Sequence, residues 1–322
     1  MRGHPVALFG QVMTALEQRI YADRTERGMA YATAGLMLGT MPVLAVTRVA
    51  GASPAGRAAL TALTTWAVIA SSSLSEAARQ VGKALSAGDL ARARGALPSL
   101  CGRDPHDLDR VGIARAVVES VAENTSDAIV APLMWGALAG PVGLSGYRAV
   151  NTLDAMVGHH LPRYERFGRA SARVDDVANW IPARVTALLA AGCSPVVRGR
   201  PVQTWQTARE YGPRHPSPNA GWCEAAFAGA LGVRLGGVLS YSGRAEHRPE
   251  LGSGRPPQTA DVASAIRLSR AVTVAATVLA AGLAAAPFGC ACQDAAVRRS
   301  CNDLRSPQVG EGADLRPRWG PS

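Results

Sequence analysis

The chain of 322 residues is 48% hydrophobic and 18% charged, below the ~25% charged fraction of an ordinary soluble domain, and this argues against extended disorder. Its 34 basic residues against 24 acids give a net charge of +10, yet Lys83 is the single lysine. That leaves almost no room for Schiff-base chemistry or a phosphate-cradling P-loop lysine, and no G-x-x-x-x-G-K-[ST], H-E-x-x-H or C-x-x-C occurs.

Residues 1–27 carry charges throughout and have no apolar centre, so no cleavable signal peptide is expected. Charge-free stretches follow at 28–47 (20 residues), 58–75 (18), 128–147 (20) and 271–293 (23). At about 1.5 Å per helical residue, about 20 residues cross the ~30 Å hydrocarbon core. A shorter gap of 13 residues, 185–197, predicts a buried or interfacial helix. One such stretch also suits an Ala-rich core helix of a soluble protein; four in one chain favour the bilayer. The expectation is an all-α, polytopic integral membrane protein with about four to five hydrophobic helices and a polar helical or loop region. Residues 1–290 read as one membrane domain and 291–322 as a polar, disordered tail.

Positive-inside counting puts Arg2, Arg19, Arg24 and Arg27 on the cytoplasmic side and returns the 76–127 stretch to it. A simple third crossing would then send the Arg-rich 148–184 region outside, against the rule. Pro132, Pro141 and four glycines interrupt that third segment, so it is expected to dip in and come back. The arginines are dispersed rather than gathered with aromatics, and no nucleic-acid partner is expected. The cysteines Cys101, Cys193, Cys223, Cys290, Cys292 and Cys301 show neither zinc-site spacing nor a disulfide framework, and read as free thiols.

Polar clusters lie between the apolar segments. Glu119, Glu123 and Asp127 stand at i, i+4, i+8, one stripe of a helix, with Asn124 beside them. Carboxylate and amide oxygens in this pattern suit Mg²⁺ better than zinc, although a solvated helix face gives the same spacing. An intramembrane carboxylate costs at least ~2.5 kcal/mol, so the stripe belongs at a membrane edge or in a polar cavity. Arg148, Asn151 and Asp154 share a face just after the third segment, and Arg173, Asp175, Asp176 and Asn179 form a further cluster with Arg184 beyond it. Each cluster alone also reads as a cap, turn or ion pair. His215-Pro216-Ser217-Pro218-Asn219 is a rigid, non-helical loop, suited to placing a ligand or to capping the next helix. His159 and His160 read as ligands, a proton shuttle or merely polar residues, and Asn124-Thr125-Ser126 as a chance glycosylation triplet.

The runs VESVAENTSDAIVAPLMWGALAGPVG, YRAVNTLDAMVGH and FGRASARVDDVANWIPARVTAL, followed by HPSPNAGWCEAAFAGALGVRLGG and Tyr241-Ser242-Gly243, closely resemble the CobD/CbiB family, the adenosylcobinamide-phosphate synthases of cobalamin biosynthesis. The resemblance runs from His4-Pro5-Val6 to about residue 285. Family members usually carry a further apolar segment with a Gly-Asp-Pro element ahead of that His-Pro-Val, and this sequence opens without it.

The resemblance implies a multi-pass enzyme of the inner cell membrane, a carbon–nitrogen ligase. It would join adenosylcobyric acid, a corrinoid, to (R)-1-amino-2-propanol phosphate or aminopropanol, with Mg²⁺ and with ATP as co-substrate. Other cobalamin-assembly membrane proteins are implied as partners, beside the lipid bilayer. By residue type, Glu119, Glu123, Asp127 and Asp175 are expected to bind metal, and Asp154, Asp176 and His215 to act in catalysis. Arg148, Arg173 and Arg184 are expected to hold phosphates, and Asn124, Asn151 and Asn219 to orient substrate. A transporter or channel passing a cation across the same carboxylates is the alternative, though the two halves of the chain show no visible repeat. A non-catalytic scaffold for cobalamin assembly is a third reading.

Overall fold

The computed structural model describes residues 4–50, 53–69, 71–101, 105–159, 161–241 and 244–286. Pro5 begins α1 (Pro5–Ile20), where a missing N–H costs no helical bond, and the His4 side chain accepts from Val6 N–H. After α2 (Thr25–Ala50), Ser53 caps α3 (Pro54–Val68) by accepting from Gly56 N–H. Next come α4 (Ser71–Ser86) and α5 (Leu90–Ala96), then α6 (Arg110–Thr125), capped where Asp109 accepts from Gly112 N–H. A π-helical turn, Ser126–Val130, joins α6 to α7 (Ala131–Val157). The remaining helices are α8 (Arg169–Cys193), α9 (Pro201–Tyr211), α10 (Ala220–Leu231) and α11 (Thr259–Ala285).

Among the described residues, five helical stretches are long and apolar enough to cross a membrane: Thr25–Ala50, Pro54–Ser86, Arg110–Val157, Arg169–Val197 and Thr259–Ala285. The protein is a predominantly helical, polytopic membrane protein. The third stretch is not one straight rod. At Ala139 (φ −130°, ψ 17°) and Gly140 (φ 60°, ψ −149°) the helix breaks, just before Pro141. Gly140 adopts a backbone conformation that a side chain would strain, and Pro141 removes a donor. The chain then doubles back. A Cβ on Gly136 would meet the Leu144 side chain, and the Tyr147 hydroxyl donates to the Asp127 carbonyl at 3.0 Å. In a continuous helix those two residues would lie ~30 Å apart. Each arm reaches only about 18 Å from the Asp127 level to the tip, short of the ~30 Å core. Residues 115–127 and the end of α7 therefore lie at the same end of a helical hairpin.

Two sequence expectations need correcting. The apolar gap 185–197 is not a separate short helix; it is the end of α8 and the 3-10 turn Ser194–Val197 that follows, and the earlier turns of α8 carry Arg173, Asp175, Asp176 and Arg184. Those charges interrupt the apolar run without ending the helix, since one face of α8 is polar and turned inward. The all-helical reading also missed one antiparallel pair, β1 (Leu235–Tyr241) and β2 (Arg244–Leu251), with an irregularity between Leu235 and Gly237. The tail expected at 291–322, with Cys290, Cys292 and Cys301, lies outside the described residues, as do His160, Ser242 and Gly243.

The larger core packs α4, α6, α10 and α11 through Val81, Val117, Phe227 and Leu268, all fully buried. A second, smaller core joins α1, α2 and α7 through Met13, Tyr31 and Leu153, with Phe167 beneath. Gly28 lets α2 pass against the Phe167 backbone, where no Cβ would fit. Glu17 ties α1 to the segment before α8, accepting from Tyr164 Oη at 2.9 Å and pairing with Arg163 at 3.3 Å. Between the two cores sits the base of the hairpin.

Candidate functional site

The π-helical turn shapes the site first. Ala131 N–H reaches back five residues to the Ser126 carbonyl, which widens the turn that carries Asp127. Asp127 stays within electrostatic reach of Glu123 and also faces Asp154, Asp175 and Arg148. Three helices and the π-helical turn thus bring four carboxylates and one guanidinium together at the hairpin base.

Hydrogen bonds hold the arrangement. The buried Tyr147 hydroxyl donates to Asn179 Oδ1 at 2.8 Å as well as to the Asp127 carbonyl, and Asn179 Nδ2 donates to Asp175 Oδ2 at 2.9 Å. This chain links the return arm of α7 to α8 and fixes the Asp175 carboxylate. Arg148 Nη1 donates to Asn151 Oδ1 at 3.3 Å, one turn along the same helix. Among the described residues, buried Asp175 Oδ1, Arg148 Nε and Ser126 Oγ have no partner at hydrogen-bond distance. Such orphans are costly in a protein interior and point to a ligand that supplies the missing contacts. Asp154 sits in the last turn of α7, where the helix dipole disfavours a negative charge, so its placement serves the cluster rather than the helix.

The loop predicted to be rigid closes one side. His215 Nδ1 accepts from Ser217 N–H at 3.0 Å, and Ser217 Oγ accepts from Ala220 N–H at 3.2 Å to start α10. Asn219 Nδ2 donates to the Asp176 carbonyl at 2.8 Å, and Arg184 Nη1 donates to Asn219 Oδ1 at 3.4 Å. The Arg184 guanidinium is centred 4.1 Å over Trp180 and 4.9 Å from the Trp222 ring centre, so it braces this loop between two indoles. Cys223, fully buried in α10, lies near Asp127 and Glu123; burial, chiefly, raises its thiol above the ordinary range.

Not every residue expected here arrives. Glu119 is buried on another side, where its Oε1 accepts Gly236 N–H at 2.7 Å and anchors the start of β1. Asn124 turns back onto its own helix, donating to the Ser120 carbonyl at 2.9 Å. Arg173 points away from Asp175 and lines a cavity between α2 and α8. His215 and Arg184 serve the loop. Conversely, Tyr147 and Asn179 were visible inside the motifs yet carried no assigned role, and Cys223 and Glu224 were unassigned as well. The signal for Tyr147 was its place at the junction of an apolar run and a polar face, where a buried phenol needs a partner.

Among the described residues, no three His, Cys, Asp or Glu side chains form a ready metal cage. Mg²⁺ does not demand one: it is held through one or two carboxylates with water and substrate phosphates. The orphaned Asp175 Oδ1 beside Asp127 and Asp154 is a hard-oxygen donor set of that kind.

A family model described as CobD/Cbib protein matches residues 1–269. The chain belongs to the CobD/CbiB family. It is similar to the cobalamin biosynthesis protein CobD of Mycobacterium tuberculosis, 50% identical over 281 residues, covering 87% of this chain and 88% of that one. The CobD of Rhodobacter capsulatus is 44% identical over 282 residues, covering 86% and 88%, and that of Pelobacter propionicus 40% over 293 residues, covering 88% and 89%. No solved structure matches the chain. Membership of the CobD/CbiB family supports a role in cobalamin biosynthesis.

Proposed function

We propose that the chain is a membrane-bound ligase that joins the side-chain carboxylate of adenosylcobyric acid to (R)-1-amino-2-propanol phosphate, or to aminopropanol, at the expense of ATP. The observation that carries this reading is the convergence of Asp127, Asp154 and Asp175 with Arg148 at the base of a helical hairpin, with unsatisfied atoms on Asp175 and Arg148. Amide formation from a carboxylate needs activation, and activation by phosphoryl transfer needs negative charge neutralised. Mg²⁺, when bound, supplies charge stabilisation at the phosphoryl oxygens. Asp127 and Asp175 would hold it as two carboxylates, the remaining positions left to water and substrate phosphate. Arg148 offers its open Nε–H to phosphate, and Asn151 orients that guanidinium. Asp154 or Asp176 takes the proton that the amine loses as the amide forms. Asn219, held by Arg184, sets the loop wall against the substrate, and His215 keeps that loop in shape. The enzyme works in the cell membrane, where a large anionic corrinoid reaches the site from the polar end of the hairpin.

The test is growth of a cobalamin auxotroph lacking this step, with the protein confirmed in the membrane fraction. Rescue on cobyric acid, lost with Asp175→Asn while growth on cobinamide persists, supports the ligase. No rescue on cobyric acid by protein present and folded in the membrane removes it. Cation flux through reconstituted vesicles, abolished by Asp175→Asn, would favour the transporter reading instead.

A further inference from the structure

A cavity of about 480 Å³ opens between α2, α7 and the N-terminal turns of α8. That volume is within the usual ~300–1,000 Å³ of ligand sites. Its walls are apolar: Met29 and Leu36 from α2, Val150 and Leu153 from α7, Val174 from α8. Met29 and Leu36 are exposed on a helix able to span a bilayer, so this side of the cavity faces lipid.

The other end is built for an anion. Arg169 and Arg173 stand one turn apart on the lining, and neither has an ion-pair partner among the described residues. They belong to the first turns of α8, which has no side-chain cap at Gly168 and no acid in its first turn, leaving its N–H groups open. Ser171 lines the same cavity, is 2% exposed, and its Oγ has no hydrogen-bond partner. A hydroxyl buried that deeply and left unpaired is costly unless something completes it. No acid and no aromatic ring lines the cavity, so nothing there recognises a choline or ethanolamine cation.

We propose that this cavity binds an anionic phospholipid, its phosphate held by Arg169, Arg173 and the Ser171 hydroxyl and its acyl chain laid along α2, α7 and α8. The lipid then wedges α2 against the two helices that carry the carboxylate cluster, without touching the reacting groups.

The experiment uses the full chain purified in detergent and native mass spectrometry with phosphatidylglycerol and phosphatidylcholine of matched chains. Phosphatidylglycerol should be retained about tenfold more strongly than phosphatidylcholine, the size of effect expected from bringing the choline cation beside two arginines. The double change Arg169→Gln with Arg173→Gln should erase that preference. Val174→Trp, which fills the apolar end and keeps both arginines, should weaken both lipids. Melting of each variant without added lipid, unchanged from wild type, shows that it is folded. Equal retention of the two lipids by wild type overturns the proposal, as does a preference that survives the double arginine change. If glycerol phosphate without chains competes as well as the whole lipid, the site takes a soluble phosphate and the lipid assignment falls.

Discussion

Tyr147 donates its hydroxyl to the main chain of Asp127, twenty positions earlier, and to the side chain of Asn179 on the neighbouring helix. One phenol thus closes the helical hairpin on itself and locks it to α8. Tyr147→Phe leaves two buried acceptors unmet, at a cost of about 1–3 kcal/mol. The melting midpoint in detergent should fall. Growth on cobyric acid should fall with it, because Asn179 loses the bond that aims it at Asp175.

Gly140 is the hinge of the hairpin. With φ 60° and ψ −149° it occupies a region that costs a residue with a side chain about 1–3 kcal/mol. Gly140→Val should sharply lower the yield of folded protein in the membrane fraction. Gly192→Ala is the control: a Cβ there meets nothing, in an ordinary helical turn, and should change the midpoint by less than about 1 kcal/mol equivalent.

The doubling back also predicts sidedness. In a cysteine-free background, single cysteines at Asp107 and Glu165, both exposed, should react with a membrane-impermeant maleimide from the same face of sealed vesicles. Labelling from opposite faces would mean that the arms do not return.

Cys223 offers a chemical test of the packing around the site. Burial, with the nearby Asp127 charge behind it, raises its folded-state pKa, so the reactive thiolate stays scarce at pH 8. Peptide mapping after N-ethylmaleimide should find Cys223 unmodified in the native protein and fully modified after denaturation. The contribution of the buried thiol is full below the ordinary thiol range; above it the unfolded chain ionises first, so the contribution declines with rising pH and is gone above the raised value.

At the start of α11, Arg255 makes a two-pronged contact with Asp261 at 2.7 and 2.9 Å, and Asp261 also accepts Gln258 N–H at 2.7 Å. The carboxylate is buried while the guanidinium is half exposed, so the pair is partly screened. Asp261→Ala should still cost about 1–3 kcal/mol, because it removes a cap as well as an ion pair. A lowered melting midpoint with growth on cobyric acid retained at low temperature is the expected pattern.

Much of this architecture was legible as absence of charge. Runs such as 28–47 and 271–293 announce helices because few other reasons keep 20 residues free of charge. The fold-back was legible too, since Pro141 and its glycines stand where the positive-inside count needs a reversal. What stayed hidden has a common cause: side-chain direction. Glu119, Glu123 and Asp127 share a stripe by spacing, yet Asp127 and Glu123 face the cluster while Glu119 is drawn to Gly236. Arg173 and Asp175 are two positions apart, so a helix puts them on opposite faces, one toward α2 and one toward α7. Glu119 could not be separated from the ligand candidates because its partner is the backbone of Gly236, more than a hundred positions away. Local spacing carries no information about such a bond.

The break at Ala139–Gly140 has a consequence for how the molecule is made. Carbonyl and N–H groups freed there lose their helical partners, and lipid offers them none. They become tolerable only when protein surrounds them, and α7 packs against α2, α3, α8 and α11. The last of these helices leaves the ribosome well over a hundred residues after the tip. Insertion therefore cannot proceed strictly in chain order: the hairpin has to wait, shallow or sheltered, until its C-terminal neighbours arrive to enclose it.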